Sequence, residues 1–394
     1  MVPYSLYLHI PFCSHRCCYC DFNTYAGIEN LIPSYVEALC AEISSYKETV
    51  EANPPVHTIF FGGGTPSLLN IRQFERILIE IESSFRLFPE LELSIEANPG
   101  SLSLVYLQEL RKLGANRLSI GMQSTNPEEL RLLERQHRFK DVINSVKWAR
   151  KAGFDNLNLD LIFGIPYQTL ETWSQSLSLG MALKPEHLSL YALTVEHGTP
   201  LSHWVDRGLL PDSDPDLAAE MYELADQRLA EVGYIQYEIS NWALQNSQGK
   251  LLSCQHNLQY WRNLPYIGLG AGAHSYVNGY RTANVLSPLA YIDRCVGDRK
   301  NQFPSTSATA NALPIDRVTE MGETMMMGLR LTKEGVSNLD FRDRFGQDLL
   351  DVFPNEIQGL LKDGLLEWGS DRRAVLRLTS RGRLLGNQVF MRFV

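Results

Sequence analysis

The chain has 394 residues, 44% of them hydrophobic and 21% charged, and a formal net charge of −9. That length exceeds what one core usually supports, so a large domain and a smaller one are expected, and the acidic balance argues against a dedicated nucleic-acid binder. No apolar run reaches the roughly 18 residues of a membrane-spanning helix, and the residues ahead of Cys13 read as a strand rather than a signal peptide, so a cytoplasmic, reducing location is expected.

In the first half, short β-rich runs alternate with longer helical patterns. Strands are expected at 5–9, 57–61, 91–96, 117–121, 156–163 and 187–193, and helices at 34–46, 73–83, 104–113, 140–152 and 170–182. Gly114 and Gly153 follow Leu113 and Ala152 as helix stops. Strand–helix alternation implies a parallel sheet with crossover helices. Six units are too few for a closed eight-fold barrel, so a partial (β/α)6 barrel in an α/β fold is expected. A helix follows at 214–232, then a Gly-rich, aromatic stretch at 234–280. At 304–314 the composition turns small and polar, which marks a linker. Beyond it, helices at 316–328, 339–345 and 356–363 and strands at 365–368 and 374–378 form a winged-helix-like α+β module. The expected domains are 1–303, with an extension from about 205 to 303, and 315–394. Arg372, Arg373, Arg377, Arg381, Arg383 and Arg392 make the end of the chain basic, as a solvated face or an anion-docking patch.

Of the 7 cysteines, four lie between Cys13 and Cys20, which is no disulfide framework. Cys13, Cys17 and Cys20 have the spacing C-x3-C-x2-C. Three thiolates on one loop can each bind one iron of a cubane cluster, leaving the fourth iron open to a small chelating molecule. Cys18 would complete a four-thiol zinc set, but adjacent residues rarely aim at one metal in so short a loop.

The second strand runs into Phe61-Gly62-Gly63-Gly64-Thr65, where glycines let backbone N–H groups approach a ligand. Polar residues at strand ends suit a ligand at the carboxyl edge of the sheet: Glu96, Gln123 and, in an otherwise apolar run, Asp160. A buried acid needs a partner, and Arg135 is a candidate for bidentate pairing. Structural hydrogen bonds would account for each of these singly.

The cysteine loop directly after a first strand, within Tyr7-Leu8-His9-Ile10-Pro11-Phe12-Cys13, resembles the radical SAM superfamily. The resemblance is to the branch holding the oxygen-independent coproporphyrinogen III oxidase HemN and the haem chaperone HemW. It covers nearly the whole chain. It implies a [4Fe–4S] cluster on Cys13, Cys17 and Cys20 and S-adenosylmethionine (SAM) on the open iron, with reductive cleavage of SAM to a 5′-deoxyadenosyl radical as the scaffold's chemistry. It further implies a SAM pocket of Tyr7, Tyr19, Gly63, Gly64, Thr65, Glu96, Gln123, Arg135, Asp160 and Thr194. An electron donor such as flavodoxin or ferredoxin goes with such a cluster.

Within that branch three features resemble the chaperone side. The position where the oxidases usually carry a further cysteine is Phe22, and only twelve residues precede the cluster loop. Cys254-Gln255-His256-Asn257-Leu258-Gln259-Tyr260-Trp261 matches the chaperones' His-Asn-x-x-Tyr-Trp. The implied function is haem binding and delivery to an acceptor protein, with transient membrane contact compatible. SAM-dependent decarboxylation of coproporphyrinogen III is the alternative. His256 and Tyr260 are the haem candidates, since neutral imidazole ligates iron well. Cys254 and His274 are rival ligands, and Arg262 or the basic tail would receive propionates.

Overall fold

The computed structural model describes residues 2–49, 55–296, 303–369 and 374–394. Six strands, β1 (Tyr4–Ile10), β2 (Pro55–Gly63), β3 (Arg86–Ala97), β4 (Arg117–Gln123), β5 (Leu157–Phe163) and β6 (His187–Ala192), lie side by side in chain order and run parallel. This is the expected partial (β/α)6 barrel. On the other side of β1 the sheet continues with Tyr266–Leu269, parallel to it, and the antiparallel pair His274–Val277 and Tyr280–Asn284. Strand Thr309–Pro314, inside the stretch expected to be a linker, extends that edge. Small and polar residues make a serviceable edge strand where few side chains must be buried.

The two-residue period of each strand sorts the side chains. Leu6, Leu8, Ile59, Phe61, Leu93, Ile95, Leu118, Ile120, Leu157, Leu159, Leu188 and Leu190 share one face and are buried. The facing set is Ser5, Tyr7, Thr58, Ser94, Glu96, Arg117, Ser119, Asn158, Asp160, His187 and Ser189. Register aligns it across the sheet, as in Tyr7–Phe60–Ser94–Arg117 and Glu96–Ser119–Asn158–His187. The apolar face can only be covered by the crossover helices, so the polar face becomes the inside of the partial barrel.

The crossover helices Ile32–Thr49, Ile71–Ser84, Leu104–Lys112, Phe139–Ala152 and Leu170–Ala182 start at capping side chains in several cases. Asn70 and Gln73 form a capping box, and Ser103 and Thr169 each accept from a backbone N–H of the first turn. Gly153 takes the left-handed C-cap at φ +91°. Glu42, on the first helix, is fully enclosed. It accepts from the Gly270 N–H, Asn284 Nδ2, Tyr291 O–H and Thr306 O–H at 2.6–2.9 Å. A buried carboxylate is tolerated at this density of donors. The four bonds fix the segments that follow Tyr266–Leu269.

By contacts the described chain divides into residues 1–228 with 265–313, and residues 229–264 with 314–394. The stretch 229–264, read from sequence as part of the first domain, thus groups with the C-terminal residues. This second unit holds the hairpin Ile235–Glu238 and Asn241–Ala243 and helices Gln255–Trp261, Arg317–Gly328, Asn338–Phe345 and Pro354–Lys362. A three-stranded antiparallel sheet orders Val336–Ser337, Val375–Leu378 and Leu366–Trp368. Its core joins Met325, Leu329, Phe341, Phe345, Ile357, Leu376 and Phe390. Among the described residues no helix is long and apolar enough to cross a membrane.

Candidate functional site

At the carboxyl end of β1 the chain makes a two-residue strand, Phe12–Cys13, that pairs with Tyr25–Ala26. The cysteine loop is the segment between them. Its closing end is tied down: Tyr25 N–H donates to Pro11 O at 2.7 Å, His9 Nε2 meets Asn23 O at 2.9 Å, and Asn23 Nδ2 donates to Ala271 O and Leu286 O. All seven cysteines are free thiols. Cys13, Cys17 and Cys20 line one cavity of about 380 Å³, within the range of small-molecule sites. Cys18 turns the other way. Its side chain is fully buried among Leu133, Ile162, Ile165, Leu193 and Leu201, its Sγ donates to Leu132 O, and burial pushes its thiol up to about 12. The loop therefore presents three thiols, as the spacing implied. Among the described residues no three His, Cys, Asp or Glu side chains gather closely enough to hold a single ion. Thiolates on a cubane bind separate irons and need no such convergence.

The glycine loop is stitched to the same segment. Gly64 N–H donates to Ile10 O and Thr65 N–H to Phe12 O, both at 2.8 Å, and Gly63 N–H donates to Glu96 Oε2 at 3.1 Å. These N–H groups are therefore spent within the protein, not exposed for a ligand as the glycines suggested. The glycines are needed for close approach. A Cβ on Gly64 would stand 2.6 Å from Phe12 O, and one on Gly63, at φ +106°, would stand 2.5 Å from the His9 ring.

Each of the three thiols has a polar neighbour. Thr65 Oγ1 donates to Cys13 Sγ, Arg135 Nη1 donates to Cys17 Sγ, and Cys20 Sγ lies by Thr24 Oγ1, all at 3.6 Å. Burial raises Cys13 above the usual thiol range and the Thr65 hydroxyl opposes the rise. Asn98 links two of these contacts. Its Nδ2 donates to Thr65 Oγ1 at 2.9 Å and its Oδ1 accepts from Arg135 Nη2 at 2.6 Å. The sequence suggested a carboxylate for Arg135; the structure instead puts it on Asn98, Gly121 O at 3.0 Å and the Cys17 thiol.

Asp160 finds one partner on the neighbouring strand and one on its own: Ser119 Oγ donates to it at 2.9 Å and Asn158 Nδ2, two residues back on β5, at 2.7 Å. His187 Nδ1 lies 2.7 Å from Asn158 Oδ1. Burial raises Asp160, and it raises Glu96 to about 7, with the charge of Asp160 adding and the Gly63 N–H and Arg117 opposing. Gln123 holds a left-handed φ of +62°, uncommon outside glycine and typical of ligand sites. Tyr19, Gly63, Gly64, Thr65, Glu96, Gln123, Arg135, Asp160 and Thr194 all line the cavity. Tyr7 does not line it; its hydroxyl meets His9 Nδ1 at 3.0 Å. Sequence reasoning missed Asn98, Ser119, Asn158, Thr24 and the buried Arg117. The signal for Asn98 was Pro99, which holds the preceding residue extended at the strand end, with ψ 136°.

In the second unit, helix Gln255–Trp261 puts His256 and Tyr260 one turn apart. His256 Nε2 meets Tyr260 O–H at 2.9 Å, with the rings edge to face. His256 is 1% exposed and Tyr260 is half-buried. Cys254 is fully buried, and His274 belongs to the first unit. Arg262 is not open to propionates: it forms a fork with Glu334 at 2.8 and 2.7 Å. In the basic tail, Arg377 pairs with Glu367, Arg381 donates to Asp363 O and Arg383 to Gln236 Oε1; Arg372 and Arg373 lie outside the described residues.

Residues 7–180 match the radical SAM superfamily and residues 315–385 the HemN C-terminal domain. The chain is 38% identical to the heme chaperone HemW of Bacillus subtilis, over 99% of each chain. It is 37% identical to the heme chaperone HemW of Mycobacterium tuberculosis, over 98% of this chain and 94% of that one. Among solved structures, coproporphyrinogen III oxidase (HemN) of Escherichia coli superposes with a TM-score of 0.82 at 24% identity, covering 99% of this chain and 90% of that one. At that identity the likeness speaks to the fold.

Proposed function

Because this chain belongs to the HemW family of the radical SAM superfamily, we propose that it is a haem chaperone that carries a SAM-bound [4Fe–4S] cluster and hands haem to an acceptor protein. The observation that carries the reading is similarity along nearly the whole chain to proteins named heme chaperone HemW. Phe22, 64% exposed at the cavity where the oxidases usually have a further cysteine, also favours it over the decarboxylase.

In this reading Cys13, Cys17 and Cys20 hold the cluster. The donor set fits, because three thiols face one cavity while the fourth is turned into the core. When bound, the reduced cluster supplies one electron to SAM, drawn from a donor such as flavodoxin or ferredoxin. Thr65, Thr24 and Arg135 direct donors at the thiolates, which stabilises their charge and tunes the cluster's potential. Glu96 and Asp160 complement the positive charge of SAM, and Arg135 its carboxylate. The Cys18 cluster shields the back of the loop from water. Haem contact falls to the motif of His256 and Tyr260. Tyr260 is the more accessible of the two, and ligation of iron by His256 Nε2 requires its bond to Tyr260 to open. Seven free thiols suit a reducing cytoplasm.

The test is anaerobic titration of the cluster-reconstituted protein with hemin, followed by an assay on coproporphyrinogen III with SAM and reductant. Near-stoichiometric haem binding without decarboxylation is expected. Repeated turnover to protoporphyrinogen would place the chain with the oxidases.

A further inference from the structure

Trp261, the last residue of the His256–Trp261 motif, lies against an arginine. The Arg330 guanidinium carbon lies 4.8 Å from the Trp261 ring centroid and 5.0 Å from that of Phe390. With an aromatic ring at each of two sides, the guanidinium is held by cation–π attraction, and what it offers a ligand is its N–H edge. Two buried donors of this stack, Arg330 Nε and Trp261 Nε1, have no acceptor among the described residues. Leaving buried donors unpaired is costly, which makes such a pair unusual in a well-packed core.

Its neighbours are arranged differently. Arg262 forks onto Glu334, and Arg344 pairs with Glu320 at 2.6 Å. No carboxylate among the described residues forms an ion pair with Arg330. The acid that feels its charge is Glu238, whose Oε1 already accepts from Asn241 Nδ2 and the Ser240 N–H. Burial pushes Glu238 up to about 7, so it is an incomplete counter-charge at neutral pH.

We propose that Arg330, clamped between Trp261 and Phe390, is an anion-binding residue that receives a carboxylate of haem, one of its propionates. A guanidinium already fixed by packing loses little further freedom on binding, and its planar fork matches a carboxylate. Trp261 beside it supplies an aromatic surface compatible with a flat macrocycle. The inference rests on the haem-chaperone reading and adds a residue remote in sequence from its motif.

The experiment compares hemin with hemin dimethyl ester, whose propionates carry no charge, by absorbance titration of the full-length wild type, Arg330→Met and Arg330→Lys. Wild type is expected to prefer hemin by about tenfold, the worth of one charge-assisted contact. In Arg330→Met the preference falls to near parity while ester affinity is kept. In Arg330→Lys, which keeps the charge and loses the planar fork, the preference falls part of the way. A wild type that binds both ligands equally, or an Arg330→Met protein with an unchanged preference, overturns the inference and leaves haem binding standing. If circular dichroism shows Arg330→Met unfolded, an unchanged preference in Arg330→Lys overturns it. A wild type that binds neither ligand removes the haem reading itself, and the inference with it.

Discussion

Glu96 sits where two requirements meet. It accepts the Gly63 N–H and so shapes the glycine loop, yet burial and the charge of Asp160 raise its carboxyl to about 7. An acid with that value is protonated below about pH 7 and ionised above it. A cationic ligand such as SAM, whose sulfonium keeps its charge at any pH, prefers the ionised form, so SAM affinity is expected to rise as pH increases from 6 to 8. Calorimetric titration across that window checks it: Glu96→Gln should bind weakly and with a flat profile. A wild type whose affinity is level or falls with pH would remove Glu96 from recognition of the SAM charge. At this scale the sequence was a good guide to which residues line the cavity and a poor one to their partners. Arg135 was legible as a site residue, but its contacts with Asn98, Gly121 and Cys17 come from strands and loops far apart in the chain. Likewise Asp160 announced itself as an acid in an apolar run, and Asn158 two residues before it on the same strand was within reach of a period of two, while Ser119 became its partner only when the sheet register set it beside β5.

The elements were legible because each carries its signal locally: a period of two in the strands, a period near four in the helices, and capping residues at the helix ends. What spacing did not reveal is how an element's end is used. The glycine loop is the case in point, since its backbone bonds back to the chain entering the cysteine loop. Gly64→Ala is expected to force those two segments apart, because the new Cβ would meet backbone oxygens of Phe12 and Ile10 rather than movable side chains. A loss of about 1–3 kcal/mol in stability is expected, with a lower iron content per chain after reconstitution. Denaturant unfolding and iron analysis read the two effects. Full stability with full iron loading would show that the close approach is dispensable. The 304–314 stretch shows the opposite limit, where loop-like composition did not prevent a strand at Thr309–Pro314.

For the molecule as a whole, the two site constellations belong to different compact units, the thiols to residues 1–228 with 265–313 and His256 to residues 229–264 with 314–394. Their defects should therefore separate. Cys17→Ala is expected to lose the [4Fe–4S] absorbance and keep haem binding. His256→Ala is expected to keep the cluster and weaken haem binding about tenfold or more. Parallel loss of both properties in either variant would mean the two functions are one. The sequence alone determined the alternation of strands and helices, the trio of cysteines and the His256–Trp261 motif. Each of these is a pattern within a few dozen residues, written in spacing and residue type. Only the tertiary structure decided that Cys18 faces the core, that the glycine N–H groups are occupied, that Arg262 pairs with Glu334 while Arg330 forms no ion pair among the described residues, and that 229–264 groups with the C-terminal residues. Those outcomes depend on which distant side chain arrives to satisfy a buried charge or donor, and such partners are chosen by packing and register across the whole chain rather than by local pattern.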